Sequence, residues 1–353
     1  MIRKYLFLVS ERYAFPVMRP VQEEIIKRGD RVAWFFDKED CAKYLRDDED
    51  RLENLDDVLI YDPISVFGVS DFIYDFFPGT KIMLFHGFNV KPRSRKNVHF
   101  RHAWHCYDLL CTQGPDTTMG FTRIQEKYKS FEVAETGWPA FDVLSKAAPQ
   151  KNSRPKILYA STFSPSMTST DKLFDEIKRL VKLDTWDWII TFHPLMASDI
   201  VKKYRSLTKY DNVEFLEEDN NFLALTTADV MLCDTSSIIV EFLYLDKPVV
   251  TFKNRIPGPH LIDIDRPDSL QSALSLALTK PKDLMTEITN FINHHNPYRD
   301  GGSSKRVMDA VERLNSGQVA NLKSQPLNIL RKMKSRVRFG YPILDGLFRN
   351  RRV

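Results

Sequence analysis

The chain has 353 residues, enough for two ordinary domains that each bury a core of their own. With 43% hydrophobic and 28% charged residues it has the composition of a soluble globular protein, and no apolar run approaches the length of a membrane-spanning helix. The net charge of +4 is unevenly spread, because residues 321–353 hold nine Lys or Arg against one acid, Asp345, for a local +8 over a body at −4.

Residues 1–9 superficially resemble a leader peptide. The apolar stretch is short, however, and Ser10-Glu11-Arg12 follows with no small-residue cleavage site, so a first β-strand is expected instead. Strands are expected at 5–9, 32–36, 58–61, 82–85 and 109–111, with a helix over 21–28 stopped by Gly29-Asp30. Residues 145–155 are polar, contain two prolines and read as a linker. The alternation then restarts, with strands expected at 157–160, 188–192, 213–215, 230–233 and 249–252 and helices at 171–183 and 237–245. Such alternation implies βαβ units and mainly parallel sheets. The expected architecture is α/β and GT-B-like: two doubly wound, Rossmann-like domains (1–144 and 156–320) facing a central cleft, plus a basic tail at 321–353. Cys41, Cys106, Cys111 and Cys233 show no CxxC spacing, and a zinc site from His102, His105, Cys106 and Cys111 would match no standard ligand pattern. Reduced thiols of a cytoplasmic protein are expected.

The chemistry-bearing residues follow strand ends, where open α/β sheets bind ligands. His86-Gly87 comes directly after one expected strand, with Lys91 close behind. The glycine permits close backbone approach, and the histidine is placed to act as a general base. The alternative is a histidine satisfied in a tight loop. His193-Pro194 ends another strand, and Asp234-Thr235-Ser236-Ser237 follows a third. That second cluster suits a helix N-cap and equally a phosphate site built from hydroxyls and free amides. Glu241 lies one helical turn beyond Ser237 among apolar neighbours, where a hydrogen bond to a ligand hydroxyl would explain it. Asp263-Ile264-Asp265 has the form of a metal-binding DxD but is expected to be a turn. Residues 101–105, basic and aromatic, are expected to be an acceptor-side surface at most.

Together these elements resemble the CDP-glycerol glycerophosphotransferase family, the teichoic-acid-type polyol-phosphate transferases. The resemblance runs through His86-Gly87 with Lys91; Thr136-Gly137-Trp138-Pro139 with Asp142; residues 157–163; His193-Pro194; Asp234 to Ser237 with Glu241; Leu245-Asp246-Lys247-Pro248; and residues 300–306. It implies catalytic histidines at His86 and His193 and a substrate-contacting set of Gly87, Lys91, Gly137, Pro139, Thr162, Asp234, Ser236, Ser237 and Glu241. It also implies a CDP-linked polyol donor, a glycan or lipid-linked acceptor, no cofactor and no obligatory metal. The chain departs from the family pattern in having Glu241 for Asp, Thr235 for Tyr, Phe85 for Trp and Phe88-Asn89-Val90-Lys91 for T-P-L-K, which leaves polyol and acceptor open.

In the tail, Leu330, Met333 and Val337 interleave with Arg331, Lys332, Lys334, Arg336 and Arg338. A cationic segment bearing apolar residues suits an anionic lipid surface, and no role with nucleic acid is expected. A cytoplasmic enzyme on the inner face of the cell membrane would follow. The rival expectations are a GT-B sugar-nucleotide transferase or UDP-N-acetylhexosamine 2-epimerase, and a catalytically idle nucleotide-binding scaffold.

Overall fold

The computed structural model describes residues 2–69, 72–88, 104–147, 151–193, 195–216, 221–319 and 322–342. Lys91, Pro194 and residues 101–103 lie outside them, as does the tail beyond Pro342. The chain divides into two compact units, the first containing the described residues of Met1–Gly87, Pro92–Ser145 and His294–Val353, and the second containing those of Phe88–Lys91 and Lys146–Asn293.

The first unit carries a parallel sheet of β1 (Lys4–Val9), β2 (Arg31–Phe36), β3 (Arg51–Leu52), β4 (Ser65–Val69), β5 (Thr80–Leu84), β6 (Leu109–Thr112) and β7 (Glu132–Glu135), ordered β3-β2-β1-β4-β5-β6-β7. The second carries β8 (Lys156–Ser161), β9 (Asp187–Phe192), β10 (Val213–Phe215), β11 (Val230–Cys233), β12 (Val249–Phe252) and β13 (Ile262–Ile264), also parallel and ordered β10-β9-β8-β11-β12-β13. The inner strands are near-continuous apolar runs because helices cover both faces of such sheets, and β1 is buried throughout from Tyr5 to Val9. All four cysteines are buried.

Three expectations about the fold are corrected. The apolar run at 58–61 is not a strand but the end of a helix, Leu55–Tyr61. Asn54 starts it with a capping box, its Oδ1 accepting from the Asp57 amide at 3.0 Å while the Asp57 carboxylate accepts from the Asn54 amide at 3.2 Å. The strand is β4, which opens on Ser65 and carries Gly68, where a Cβ would come within 2.6 Å of the Tyr107 hydroxyl.

The second correction concerns the domain boundary, since the chain rejoins the first unit at His294 and not after 320. The helix Ser303–Asn315 buries Val307, Met308, Val311 and Leu314 there. Arg28 at the end of the helix Phe15–Lys27 pairs with Asp309 at 2.7 Å and Glu312 at 3.2 Å.

The third is the tail, which up to Pro342 is folded onto the first unit. Arg336, in the helix Ile329–Arg338, is only 2% exposed and meets Asp75 at 2.6 Å. Arg338 pairs with Asp37 at 3.0 Å, Phe339 packs on Phe35, Tyr74 and Phe76, and Tyr341 stacks on Phe76.

Candidate active site

In the second sheet the strand order reverses between β8 and β11, so the loops leaving these two strands diverge and open a crevice at their carboxyl ends. Both loops are rich in hydroxyls: Ser161, Thr162, Ser164, Ser166, Thr168 and Ser169 in one, Thr235, Ser236 and Ser237 in the other. Asp234, fully buried, joins them. Its carboxylate accepts from the Thr162 amide at 2.9 Å, the Ser169 amide at 3.0 Å, the Ser169 hydroxyl at 3.1 Å, the Thr235 amide at 2.8 Å and the Ser161 hydroxyl. Burial pushes this carboxyl up, and the five donors oppose that by stabilising the charge. Its oxygens are thereby committed to the protein, and Asp234 positions the two loops. Thr162 is likewise buried and its amide is used in this clamp.

Ser236 and Ser237 follow this buried carboxylate in the chain. Their hydroxyls make no hydrogen bond to the other described residues, Ser236 being half-buried and Ser237 exposed. Ser237 is the N-cap of the short helix Ile238–Tyr244 without using its side chain to cap it. Glu241, half-buried on that helix, has no hydrogen bond or ion pair among the described residues, and burial pushes its carboxyl up to about 7.

His193 follows β9, which pairs with β8, and its imidazole lies 4.5 Å from the Phe163 ring on the loop after β8. The Leu195 amide donates to Nδ1 at 3.1 Å. In the neutral ring this leaves the proton on Nε2.

In the first unit His86 is exposed just past β5, with the Tyr13 ring 4.9 Å from its imidazole. The preceding carbonyl, of Phe85, accepts from Trp138 Nε1 at 2.7 Å, which anchors the strand end that carries the histidine. Among the described residues, nothing comes within 4 Å of where a Cβ on Gly87 would stand.

Gly137 and Pro139, expected to touch substrate, are used internally. Gly137 has φ +80°, and a Cβ there would lie 2.6 Å from Ser303 Oγ and 3.0 Å from Tyr298. The neighbouring Trp138 amide donates to Asn296 at 3.0 Å, Pro139 is buried, and Asp142 accepts from the amides of Ser303 and Ser304 at 2.8 and 2.7 Å. Arg306 completes the junction, donating to the Thr136 carbonyl at 2.8 Å and to Asp300 at 2.8 Å. The motifs at 136–142 and 300–306 are therefore two halves of one structural joint. Lys247 is structural in the same sense, its Nζ donating to the carbonyls of Leu225 and Thr226 at 2.9 and 2.7 Å. Asp263 is not in a turn: it lies in β13 and accepts from Thr251 at 2.7 Å and the Asn254 amide at 2.9 Å.

Sequence reasoning passed over Asn254 and Arg255, which follow β12. Asn254 Nδ2 donates to the Asp234 carbonyl at 2.7 Å and the Arg255 amide to Thr235 Oγ1 at 3.1 Å. Their position past a strand of the same sheet was the available signal.

The profile of the family described as CDP-Glycerol:Poly(glycerophosphate) glycerophosphotransferase matches residues 79–313. The chain belongs to this family. Among curated relatives, the teichoic acid glycerol-phosphate primase of Bacillus subtilis is 26% identical over 252 residues, covering 64% of this chain and 63% of the relative. The teichoic acid poly(ribitol-phosphate) polymerase of Bacillus spizizenii is 24% identical over 158 residues, 40% of this chain and 23% of the relative. The chain thus spans less than two thirds of either relative's length. Among solved structures, the wall teichoic acid polymerase TagF matches at a TM-score of 0.65 and 16% identity, over 90% of this chain and 89% of that one. The S. aureus MnaA–UDP structure matches at 0.64 and 13% identity, over 92% and 100%. These likenesses establish a GT-B-like fold.

Glu241 gives a pH signature. Its folded value of about 7 lies above the ordinary 4.5, so between those values the folded protein holds a proton that the unfolded chain has released. This group's contribution to stability therefore falls as pH rises through that window. Glu241→Gln should flatten the decline, and denaturant unfolding at about pH 5 and about pH 8 should show the variant gaining on the parent at the higher pH. An unchanged pH slope would contradict the assignment.

Proposed function

We propose that the protein moves a glycerol-phosphate, or another polyol-phosphate, from a CDP-linked donor to a hydroxyl of a cell-surface glycan or lipid-linked acceptor, releasing CMP. One observation carries this reading: in a chain of this family, Ser236 and Ser237, past β11 at the switch point of the second sheet, have hydroxyls with no hydrogen bond to other described residues, and His193 follows β9 of the same sheet. Such a rim suits a phosphate oxygen, which only accepts.

In the proposed reaction the acceptor hydroxyl oxygen attacks the distal phosphorus of the CDP-polyol. Its proton passes to His86, the new P–O bond forms, and the bond to the bridging oxygen breaks with CMP as leaving group. His193, Ser236 and Ser237 hold the charge that gathers on the pyrophosphate, the pre-aligned electrostatic help on which phosphoryl transfer depends. Glu241, protonated over part of the working pH range, suits a hydrogen bond to a polyol hydroxyl.

The tail contributes membrane adsorption in this proposal, through a different set of side chains from that expected. Arg336, buried against Asp75, and Arg338, exposed but paired with Asp37, leave the membrane-contacting set. Leu330 (79% exposed), Met333 (37%) and Val337 (64%) form an outward apolar stripe at helical spacing, with Lys334 exposed beside them and Arg331 and Lys332 half-buried on the same helix. An apolar stripe flanked by cations suits an anionic interface, each cation adding roughly 1 kcal/mol. Among the described residues no helix is long and apolar enough to cross a membrane.

Incubation with a panel of CDP- and UDP-linked donors should release CMP from a CDP-polyol, and His86→Ala should lower that rate by on the order of a hundredfold or more. Release of UDP or hexosamine epimerisation, or near-full activity of the alanine variant, would refute the assignment. In flotation assays the protein should bind vesicles containing phosphatidylglycerol more than vesicles of phosphatidylcholine alone. Combined Leu330→Asp, Met333→Asp and Val337→Asp changes should remove that binding, and retention would discard the membrane role.

A further inference from the structure

A cation at the same switch point belongs to none of the motifs that carry the family resemblance. Arg255 follows β12, the neighbour of β11, and its loop is fixed on two sides. Asn254 ties it to the Asp234 carbonyl at 2.7 Å and to Asp263 at 2.9 Å, and the Arg255 amide reaches Thr235 Oγ1 at 3.1 Å. On the other side the guanidinium Nη2 donates to Ser166 Oγ at 3.2 Å, in the loop that leaves β8. Arg255 thus bridges the two loops that diverge at the reversal of strand order.

Its charge is not consumed within the protein. The side chain is exposed, and among the described residues it makes one side-chain hydrogen bond and no ion pair. The nearby Asp234 carboxylate is buried and saturated by five donors, so it does not neutralise the guanidinium. A guanidinium presents its N–H groups as a fixed planar fork that matches two oxygens of one phosphate, or one oxygen from each of two. Here that fork belongs to a residue whose amide is bonded to Thr235, next in the chain to Ser236 and Ser237. The matching ligand is an anion with several acceptor oxygens.

We propose that Arg255 is a pyrophosphate-binding residue, gripping the diphosphate of the nucleotide donor from the β12 side of the crevice while Ser236 and Ser237 hold it from the β11 side. The identity of the anion as part of a nucleotide rests on the functional reading above, whereas its diphosphate character rests on the rim alone.

The test is calorimetric titration of the full chain, Arg255→Ala and Arg255→Lys with inorganic pyrophosphate, CMP and cytidine, with thermal melts to verify folding. The alanine variant should bind pyrophosphate about tenfold or more weakly, as expected for loss of a charge-assisted contact. The lysine variant should recover part of the affinity, since it restores the charge without the fork, and cytidine binding should change less than about twofold. A folded alanine variant that binds pyrophosphate within about twofold of the parent overturns the proposal, as does a parent with no affinity for pyrophosphate. The functional reading fails separately: a parent that turns over UDP-linked donors while Arg255→Ala still loses pyrophosphate would refute the CDP donor and support Arg255.

Discussion

The Asp234 carboxylate draws together two loops whose contact residues lie up to 73 positions apart in the chain, and the geometry of the second unit's crevice follows from that. A buried carboxylate is costly unless hydrogen bonds replace its lost hydration, and each lost donor would leave an unmet charge. Five donors from Ser161, Thr162, Ser169 and Thr235 meet that demand, which fixes where both loops leave the sheet. Ser236 and Ser237 follow directly from this anchored point, with hydroxyls that make no hydrogen bond to other described residues. Asn254 and Arg255 add a third loop through the Asp234 carbonyl and Thr235.

The first unit solves a similar problem with different groups. The Trp138 indole holds the Phe85 carbonyl and so sets the strand end that bears His86. Trp138 is in turn held through Asn296, and the turn after it through Asp142 on the first amides of the helix Ser303–Asn315. In this way a segment far along the chain supports a histidine near its beginning. The motifs of the family divide accordingly: those around His86, His193 and Ser236 present groups outward, while those at 136–142, 247 and 300–306 build the frame behind them.

Much of this was legible from residue order. Buried parallel strands are apolar runs, so most of β1, β2, β5, β6, β8, β9, β11 and β12 could be read directly, and with them the places where His86, His193 and Ser236 emerge. β4 was hidden because Ser65 and Gly68 dilute its run, while the apolar residues at 58–61 belong to a helix whose start is written in Asn54 and Asp57. The return of the chain at His294 is not encoded locally at all: it depends on Arg28 meeting Asp309 and on Asp142 meeting Ser303, pairs that no periodicity reveals. Positive charge in the tail was visible, but that Arg336 and Arg338 have carboxylate partners at Asp75 and Asp37 was not, since ion pairing across such a separation is a property of the folded chain.

The dependence of the crevice on one carboxylate can be measured directly by calorimetric titration of CMP into Asp234→Asn, a near-isosteric change that exchanges one acceptor oxygen for a donor. The account predicts a folded protein with a modestly lower melting temperature and CMP affinity reduced about tenfold or more, because the loops bearing Ser161 and Ser236 lose their common anchor. A folded Asp234→Asn protein that binds CMP as tightly as the parent would contradict it.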